Sequence, residues 1–195
     1  MTSTPLRLHL VRHGQTVLNS EDKVQGWDDS SLTEPGLEGV RTTAERLRDV
    51  EFQAAYVSPS GRTVATATEI LQHHPMVRMT LDERLKELHF GEFESRPNAD
   101  LLAVGDVREI FTGIVGGTFA GFAGGEHARD YVERIEAAFD DIVAAHPEGD
   151  VLVVSHGVTL FTYLTRAAAY AGAPLENASV TVLERGSDGW VRFAE

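Results

Sequence analysis

Three short runs in this 195-residue chain gather side chains suited to an anionic phosphorus group: Arg12-His13-Gly14, Ser58-Pro59-Ser60-Gly61-Arg62 and Ser155-His156-Gly157. Arginine presents planar N–H donors that match phosphate oxygens. Histidine is a nucleophile when neutral and a cation when protonated. Gly14 and Gly157 let the backbone approach a ligand closely. Each run also follows a short apolar stretch, so the next question is what element positions it.

Leu6–Val11, Ala54–Val57 and Val151–Val154 read as buried strands, and the last is an unbroken apolar run of the kind found in central parallel strands. Thr33 is placed to cap a helix with Pro35 in its first turn, followed by Leu37, Val40, Ala44, Leu47 and Val50 at helical spacing. A second helix is predicted from about Ser60 to Leu71 with Val64, Thr68 and Leu71 on one side, and a third strand over Val77–Leu81. A long helix starts at Glu126, carries Val132, Ile135, Phe139 and Ile142, and ends at Pro147 and Gly149. Another spans Val158 to about Ala171, and Val180–Leu183 with Trp190–Phe193 form a closing hairpin. This alternation predicts an α/β fold: a three-layer αβα sandwich around a mostly parallel central sheet. Ligands in such folds bind beyond the carboxyl ends of the strands, where all three runs fall.

Residues 88–125 interrupt the pattern. They hold eight glycines and no clear strand. Leu101–Val115 is a candidate helix, whereas Gly113–Gly125 is expected to be irregular because glycine loses much backbone entropy on ordering. The segment reads as a lid inserted into a single domain spanning 1–195.

Composition narrows the partners. The formal charge is −13, from 30 acids and 17 bases. Such a chain repels nucleic acid and anionic membranes, so neither is an expected partner, and a phosphate ligand needs a locally basic pocket. The chain has no cysteine, which removes thiolate metal sites and a cysteine nucleophile and suits a reducing cytoplasm. Met1-Thr2-Ser3-Thr4-Pro5 lacks the pattern of a signal peptide. No apolar run approaches the ~20 residues of a membrane helix. The expected partner is a small phosphate ester in the cytoplasm; oligomeric state is left open.

The run Leu10-Val11-Arg12-His13-Gly14-Gln15-Thr16 resembles the signature of the histidine phosphatase superfamily, which includes cofactor-dependent phosphoglycerate mutases. Further blocks resemble that family in the same order: Asn19, Gln25-Gly26-Trp27, Ser31 to Gly36, Ser58 to Arg62, Leu85 to Gly91, Gly124-Gly125-Glu126 and Val154 to Gly157. The resemblance implies that His13 attacks phosphorus and forms a phosphohistidine. Arg12, Arg62 and a protonated His156 then hold the non-bridging oxygens, with Asn19, Gln25 and Gly26 as further phosphate contacts. Glu87 is implied as the acid that protonates the leaving oxygen and later takes a proton from water. Glu83, Glu92 and Glu94 are rival carboxylates on residue type alone. Taken singly, His156 also reads as a core histidine and Arg62 as a solvated helix residue.

Two features depart from the family pattern: Ser95 stands where a glycine is common, and the run 113–125 has no familiar counterpart. Both lie in the segment expected to set specificity, so sugar phosphates, nucleotide-linked phosphates and a phosphorylated cofactor precursor all stay open as substrates. Residues 88–125 carry Arg96 and Arg108 against Glu92, Glu94, Asp100, Asp106 and Glu109. That balance disfavours the second phosphate of a mutase cycle and points to hydrolysis of a monoester with a partly apolar body, with Phe93, Phe111, Phe119 and Phe122 available to line the pocket. A mutase and a non-enzymatic phosphate-binding protein are the alternatives. No spacing reads as a metal site and no cofactor is expected, because the Arg and His groups already bring the charge a metal would supply. Phosphate release should therefore be undiminished after incubation with EDTA; restoration of a lost activity by magnesium or zinc would contradict this.

Overall fold

The computed structural model describes residues 4–187 and 189–194, the last three as backbone. Its elements run β1 (Leu6–Arg12), α1 (Val17–Ser20), α2 (Glu34–Leu47), β2 (Phe52–Val57), α3 (Gly61–Leu71), β3 (Met79–Leu81), α4 (Asn98–Leu102), α5 (Val107–Gly116), α6 (Ala128–Ala145), β4 (Gly149–Ser155), α7 (Gly157–Ala168), β5 (Val180–Gly186) and β6 (Gly189–Ala194). They build one six-stranded sheet in the order β3-β2-β4-β1-β5-β6. The first four strands of that order are mutually parallel, and the β5–β6 hairpin adds antiparallel beside β1. The α/β class and the mostly parallel sheet expected from the sequence are present.

Side-chain alternation divides the core between the two sheet faces. Leu6, Leu8 and Leu10 of β1 and Val151 and Val153 of β4 pack with Tyr131, Ile135 and Phe139 of α6 and Leu160 and Leu164 of α7. Val11, Leu152 and Val154 turn the other way, onto Val40, Ala44 and Leu47 of α2 and Ala67 and Ile70 of α3. Each such side chain contributes about 1.5–3 kcal/mol by leaving water. The layers fix the strands, and register then fixes the site. Arg12 lies opposite Ser155 and Val57 opposite Val154, so His13, Ser58 and His156 leave three adjacent parallel strands at one edge.

Local signals explain the α2 start: the Thr33 hydroxyl accepts from Gly36 N at 3.0 Å, and a proline sits in the first turn. In α3 the side that carries Val64, Thr68 and Leu71 is not the buried one. Arg62, Thr63, Thr66, Ala67 and Ile70 are buried, while Val64 and Leu71 are half-buried and Thr68 is exposed. Polar residues turn inward because the core satisfies them: the hydroxyls of Thr63 and Thr66 donate to the Ser58 and Arg62 carbonyls, both at 2.7 Å. The strand expected over Val77–Leu81 shrinks to three edge residues.

The segment 88–125 differs most. The candidate helix 101–115 is two helices, because Asp106 caps a fresh start by accepting from Arg108 N at 2.9 Å and Glu109 N at 3.3 Å. α5 also runs on through Gly113 to Gly116, into the stretch expected to be irregular, and stops at Gly117, whose φ of 73° is left-handed. Leu88, Phe90, Phe93, Ile114 and Phe122 from this segment are buried in the α6–α7 core.

One close approach carries a measurable consequence. A Cβ on Gly36 would lie 2.1 Å from the Gln15 carbonyl oxygen and 2.9 Å from its nitrogen, so α2 presses directly on the backbone that follows His13. Gly36→Ala is expected to destabilise the protein by about 1–3 kcal/mol, or more if the loop cannot shift. Urea unfolding should show a lowered midpoint at unchanged m, with activity falling in parallel.

Candidate active site

The His13 ring is 3% exposed, and its Nδ1 lies 2.8 Å from the Gly14 carbonyl oxygen. A carbonyl only accepts, so Nδ1 carries the proton and Nε2 keeps its lone pair. Burial and the nearby charges of Arg62 and Arg12 push the His13 pKa well below the ordinary histidine value. The ring is neutral beside two cations and keeps a lone pair on Nε2. The backbone around it is pinned on several sides: His13 N donates to Ser155 O at 3.0 Å, Gly14 N to Thr66 Oγ1 at 3.0 Å and Asn177 Nδ2 to His13 O at 3.1 Å.

Arg62 starts α3 and is 1% exposed. Its terminal nitrogens are fully used: Nη1 donates to Asp28 O at 3.0 Å and Asp29 Oδ1 at 2.9 Å, and Nη2 to Gly26 O at 2.7 Å and His156 Nδ1 at 2.9 Å. Arg12 ends β1, and its Nη1 donates to the Leu175 carbonyl. The guanidinium of Arg12 lies against Gly157, where a Cβ would meet Nε at 3.2 Å. The Nε–H of each arginine is buried and has no partner among the described residues. An unmet buried donor costs about 1–3 kcal/mol, more when charged, so these two groups call for an anionic acceptor.

His156 differs from the protonated form that the family resemblance implies. Arg62 can only donate to its Nδ1, so the proton sits on Nε2 and is given to Ser58 Oγ at 2.7 Å. Burial, then Arg62 and His13, push its pKa well down. In this state His156 orients Arg62 and stands beside His13, ring centroids 5.4 Å apart.

Glu87 is 4% exposed and bound to the start of α7. Its Oε1 accepts from Leu88 N, Thr159 N, Thr159 Oγ1 and the Tyr131 hydroxyl at 2.9–3.2 Å. Oε2 accepts only from Val158 N, at 2.9 Å. A helix N-terminus is a natural seat for a carboxylate. The rivals separate cleanly. Glu83 pairs with Lys86 in solvent and Glu92 is exposed. Glu94 gathers four backbone amides, those of Gly26, Trp27, Asp28 and Phe90, at 2.9–3.1 Å.

A cavity of about 280 Å³ adjoins these groups, lined in part by Arg12, Glu87, Asn19, Gln25, Gly157 and Phe111. His13, Arg62 and His156 lie buried outside its lining. Asn19 uses its Oδ1 for Thr16 N and Asn177 Nδ2, which leaves its own amide donors for a ligand. Gln25 is tied to Thr16 and Ser30. Gly26, expected as a phosphate contact, lies off the cavity with both backbone polar groups taken, by Glu94 and Arg62. Of the four expected phenylalanines only Phe111 reaches the cavity, where Phe90 and Phe161 are the other aromatic residues of the lining; Phe93 and Phe119 pack on Phe122. The sequence reading missed Asp29, Tyr131, Thr159 and Asn177, and named Ser58 only as part of a run. Among them only Tyr131 left a signal, a hydroxyl-bearing ring on the apolar face of a long helix.

Fold and site together define a class, and comparison with known proteins agrees with it. The sequence model of the histidine phosphatase superfamily (branch 1) matches residues 8–193, and the chain belongs to that superfamily. It is 31% identical over 192 residues to a probable phosphoglycerate mutase, GpmB, of Erwinia tasmaniensis, covering 95% of this chain and 88% of the relative. Among solved structures, Bacillus stearothermophilus YhfR superposes with a TM-score of 0.82 at 30% identity, over 97% of this chain and 96% of that one. A mycobacterial glucosyl-3-phosphoglycerate phosphatase shares the fold at 23% identity, with a TM-score of 0.80 over 97% and 96% of the two chains.

The neutral histidines give a pH test. Their pKa values are depressed on folding, so the unfolded chain binds protons that the native state refuses. These residues cost nothing above the ordinary value of 6.5, and stability is lost as pH falls below it toward their folded values. The urea midpoint should drop between about pH 7.5 and about pH 5.5, and drop less in His13→Asn. An equal drop in both proteins would show that His13 is not held neutral.

Proposed function

We propose that the protein is a phosphomonoesterase that hydrolyses a small phosphate ester through a phosphohistidine at His13. One observation carries this reading: two arginines, each with a buried and unpartnered Nε–H, lie near enough to act on the charge of a buried histidine whose Nε2 lone pair is free. A phosphoryl group set between them satisfies both donors and meets the nucleophile. Nε2 of His13 forms a bond to phosphorus as the P–O bond to the leaving group breaks, and Glu87 in its protonated form gives that oxygen a proton. Water then attacks phosphorus, Glu87 takes a proton from it, the P–N bond breaks and inorganic phosphate leaves. Arg12 and Arg62 hold the charge that builds on the equatorial oxygens. Arrival of the dianion also favours a proton on His156, which would turn that ring from an acceptor for Arg62 into a further donor.

The cavity favours hydrolysis over transfer. Among the described residues lining it, the cations are Arg12, committed to the phosphoryl group, and Lys23, paired with Glu21 at 2.7 Å. A second phosphate would find no concentrated positive charge. Val24, Phe90, Leu101, Phe111, Phe161 and Leu175 instead offer apolar surface, which suits a leaving group with a weakly charged, partly apolar body. Its size sits just below the range of about 300–1,000 Å³ usual for small-ligand clefts, in keeping with a small metabolite. The segment 88–125 supplies Phe90, Leu101 and Phe111, and on this reading is the cover that sets specificity.

The names borne by relatives divide between mutase and phosphatase, so the test measures both products. Given 3-phosphoglycerate and bisphosphoglycerate, and separately an aryl monoester, the protein should release phosphate with little 2-phosphoglycerate formed. His13→Ala should remove the activity while leaving the protein folded. Fast isomer formation with negligible free phosphate would establish transfer instead.

A further inference from the structure

We propose that Arg134 of α6 is a positioning residue for the acid step, acting through Glu126 and the backbone that carries Glu87. The inference rests on the reading of Glu87 as the general acid, and it assigns a role to the Gly124-Gly125-Glu126 run that the phosphate chemistry leaves unused.

The segment that bears Glu87 has no regular backbone ladder. It is a single 3₁₀ turn, Glu83–Leu85, followed by irregular chain. Its four successive carbonyls are nonetheless satisfied, and all by side chains. Arg134 Nη1 donates to Arg84 O and to Lys86 O, both at 2.7 Å, and Nη2 to Glu87 O at 2.9 Å. Ser155 Oγ donates to Leu85 O at 2.7 Å, and Trp27 Nε1 adds a second bond to Glu87 O at 3.0 Å. One guanidinium therefore fixes three of the four carbonyls, including that of the acid residue itself.

The guanidinium is in turn held rigidly. Nε and Nη2 form a two-pronged contact with Glu126, at 2.7 and 2.8 Å, and both side chains are about five-sixths buried. With these two bonds and the three carbonyls, all five N–H donors of Arg134 are used. No other side chain offers five donors in one plane, and lysine has three without the fork. Glu126 is tied back to the same segment: its N–H donates to His89 O at 3.0 Å. Gly125 permits the approach, because a Cβ there would lie 2.6 Å from that same oxygen. Arg134 also stacks on Tyr131, 4.8 Å from the ring centroid, and the Tyr131 hydroxyl reaches Glu87 Oε1. The backbone of the acid thus hangs from α6, and its carboxylate, seated on the start of α7, meets α6 through Tyr131.

A purely structural clamp and a positioning clamp predict different kinetics. An acid matters for a poor leaving group and little for nitrophenolate, which departs without a proton. Glu87→Gln serves as the reference and should lose about 100-fold or more in kcat on n-butyl phosphate but far less on p-nitrophenyl phosphate. Arg134→Lys should follow the same pattern at smaller size, about tenfold on the alkyl ester and within about threefold on the aryl ester, with KM for the aryl ester little changed. In the double variant the alkyl rate should be no lower than in Glu87→Gln alone, since the acid it positions is already gone. Glu126→Gln, which keeps Arg134 but weakens its fork, should show the same selectivity and stands in if Arg134→Lys does not accumulate as folded protein. Equal losses on both esters for Arg134→Lys and Glu126→Gln, or multiplicative losses in the double variant, would overturn the positioning role while leaving Glu87 as the acid. Equal losses for Glu87→Gln itself would remove the acid and the positioning role together.

Discussion

The interaction on which this structure depends is the burial of two guanidinium groups beside a histidine that must stay neutral. An ion taken from water into a protein costs several kcal/mol unless its donors are met. Arg62 meets four of its five with Gly26 O, Asp28 O, Asp29 and His156, and Arg12 is anchored on Leu175 O. The chain 26–29 and the turn before β5 are shaped by this demand for acceptors. Each arginine keeps back one buried donor without a partner among the described residues. Burial, together with the same two charges, keeps the proton off His13, so the unmet donors and the neutral ring share a physical source. An overall charge of −13 does not oppose this, because the local field of the buried pair governs a ligand already within contact.

The sheet turns that electrostatic requirement into geometry. Parallel β1, β4 and β2 end at the same level, and their following residues are His13, His156 and Ser58. Because β4 passes directly into α7, the helix that begins after His156 also presents Val158 N and Thr159 N to Glu87. Arg12, His13, Arg62, His156 and Glu87 are thereby referred to three adjacent strands and the starts of α3 and α7. α2 completes the frame from the opposite face, where Gly36 lets it press on the loop after His13.

Much of this was readable in the sequence. The strands showed as apolar runs, Thr33 and Pro35 marked a helix start, and Arg12, His13, Arg62 and His156 stood out by type and place. What stayed hidden shares a cause: it depends on partners far away in the chain. The inward face of α3 carries Arg62, Thr63 and Thr66, which no hydrophobic periodicity can select, because their burial is licensed by the Ser58 carbonyl and by Asp29 and His156. Glycines at 113 and 116 suggested irregular chain, yet α5 forms through them because Ile110 and Ile114 gain burial against the core, which outweighs a local propensity loss of about 1 kcal/mol per glycine. Asp29, Tyr131 and Arg134 sit in ordinary-looking stretches, and only the fold reveals what they touch.

The acidic residues show the same limit from another side. Glu87, Glu94, Glu126 and Asp29 are alike on paper, and residue type offers no physical ground for ranking Glu87 above Glu94. Their surroundings separate them. Glu94 divides four amide donors equally between its two oxygens, and Glu126 is locked in a fork with Arg134. Asp29 is spent on Gly61 N and Arg62. Glu87 alone of the four faces the cavity, and it is lopsided: Oε1 is crowded with donors while Oε2 has one. A carboxylate whose two oxygens are both saturated can anchor a loop but has no lone pair left with which to carry a proton. One that is immobilised through a single oxygen keeps the other for chemistry. Unequal saturation at a cavity wall, more than residue type or neighbouring sequence, is what sets Glu87 apart from the anchoring carboxylates of this molecule.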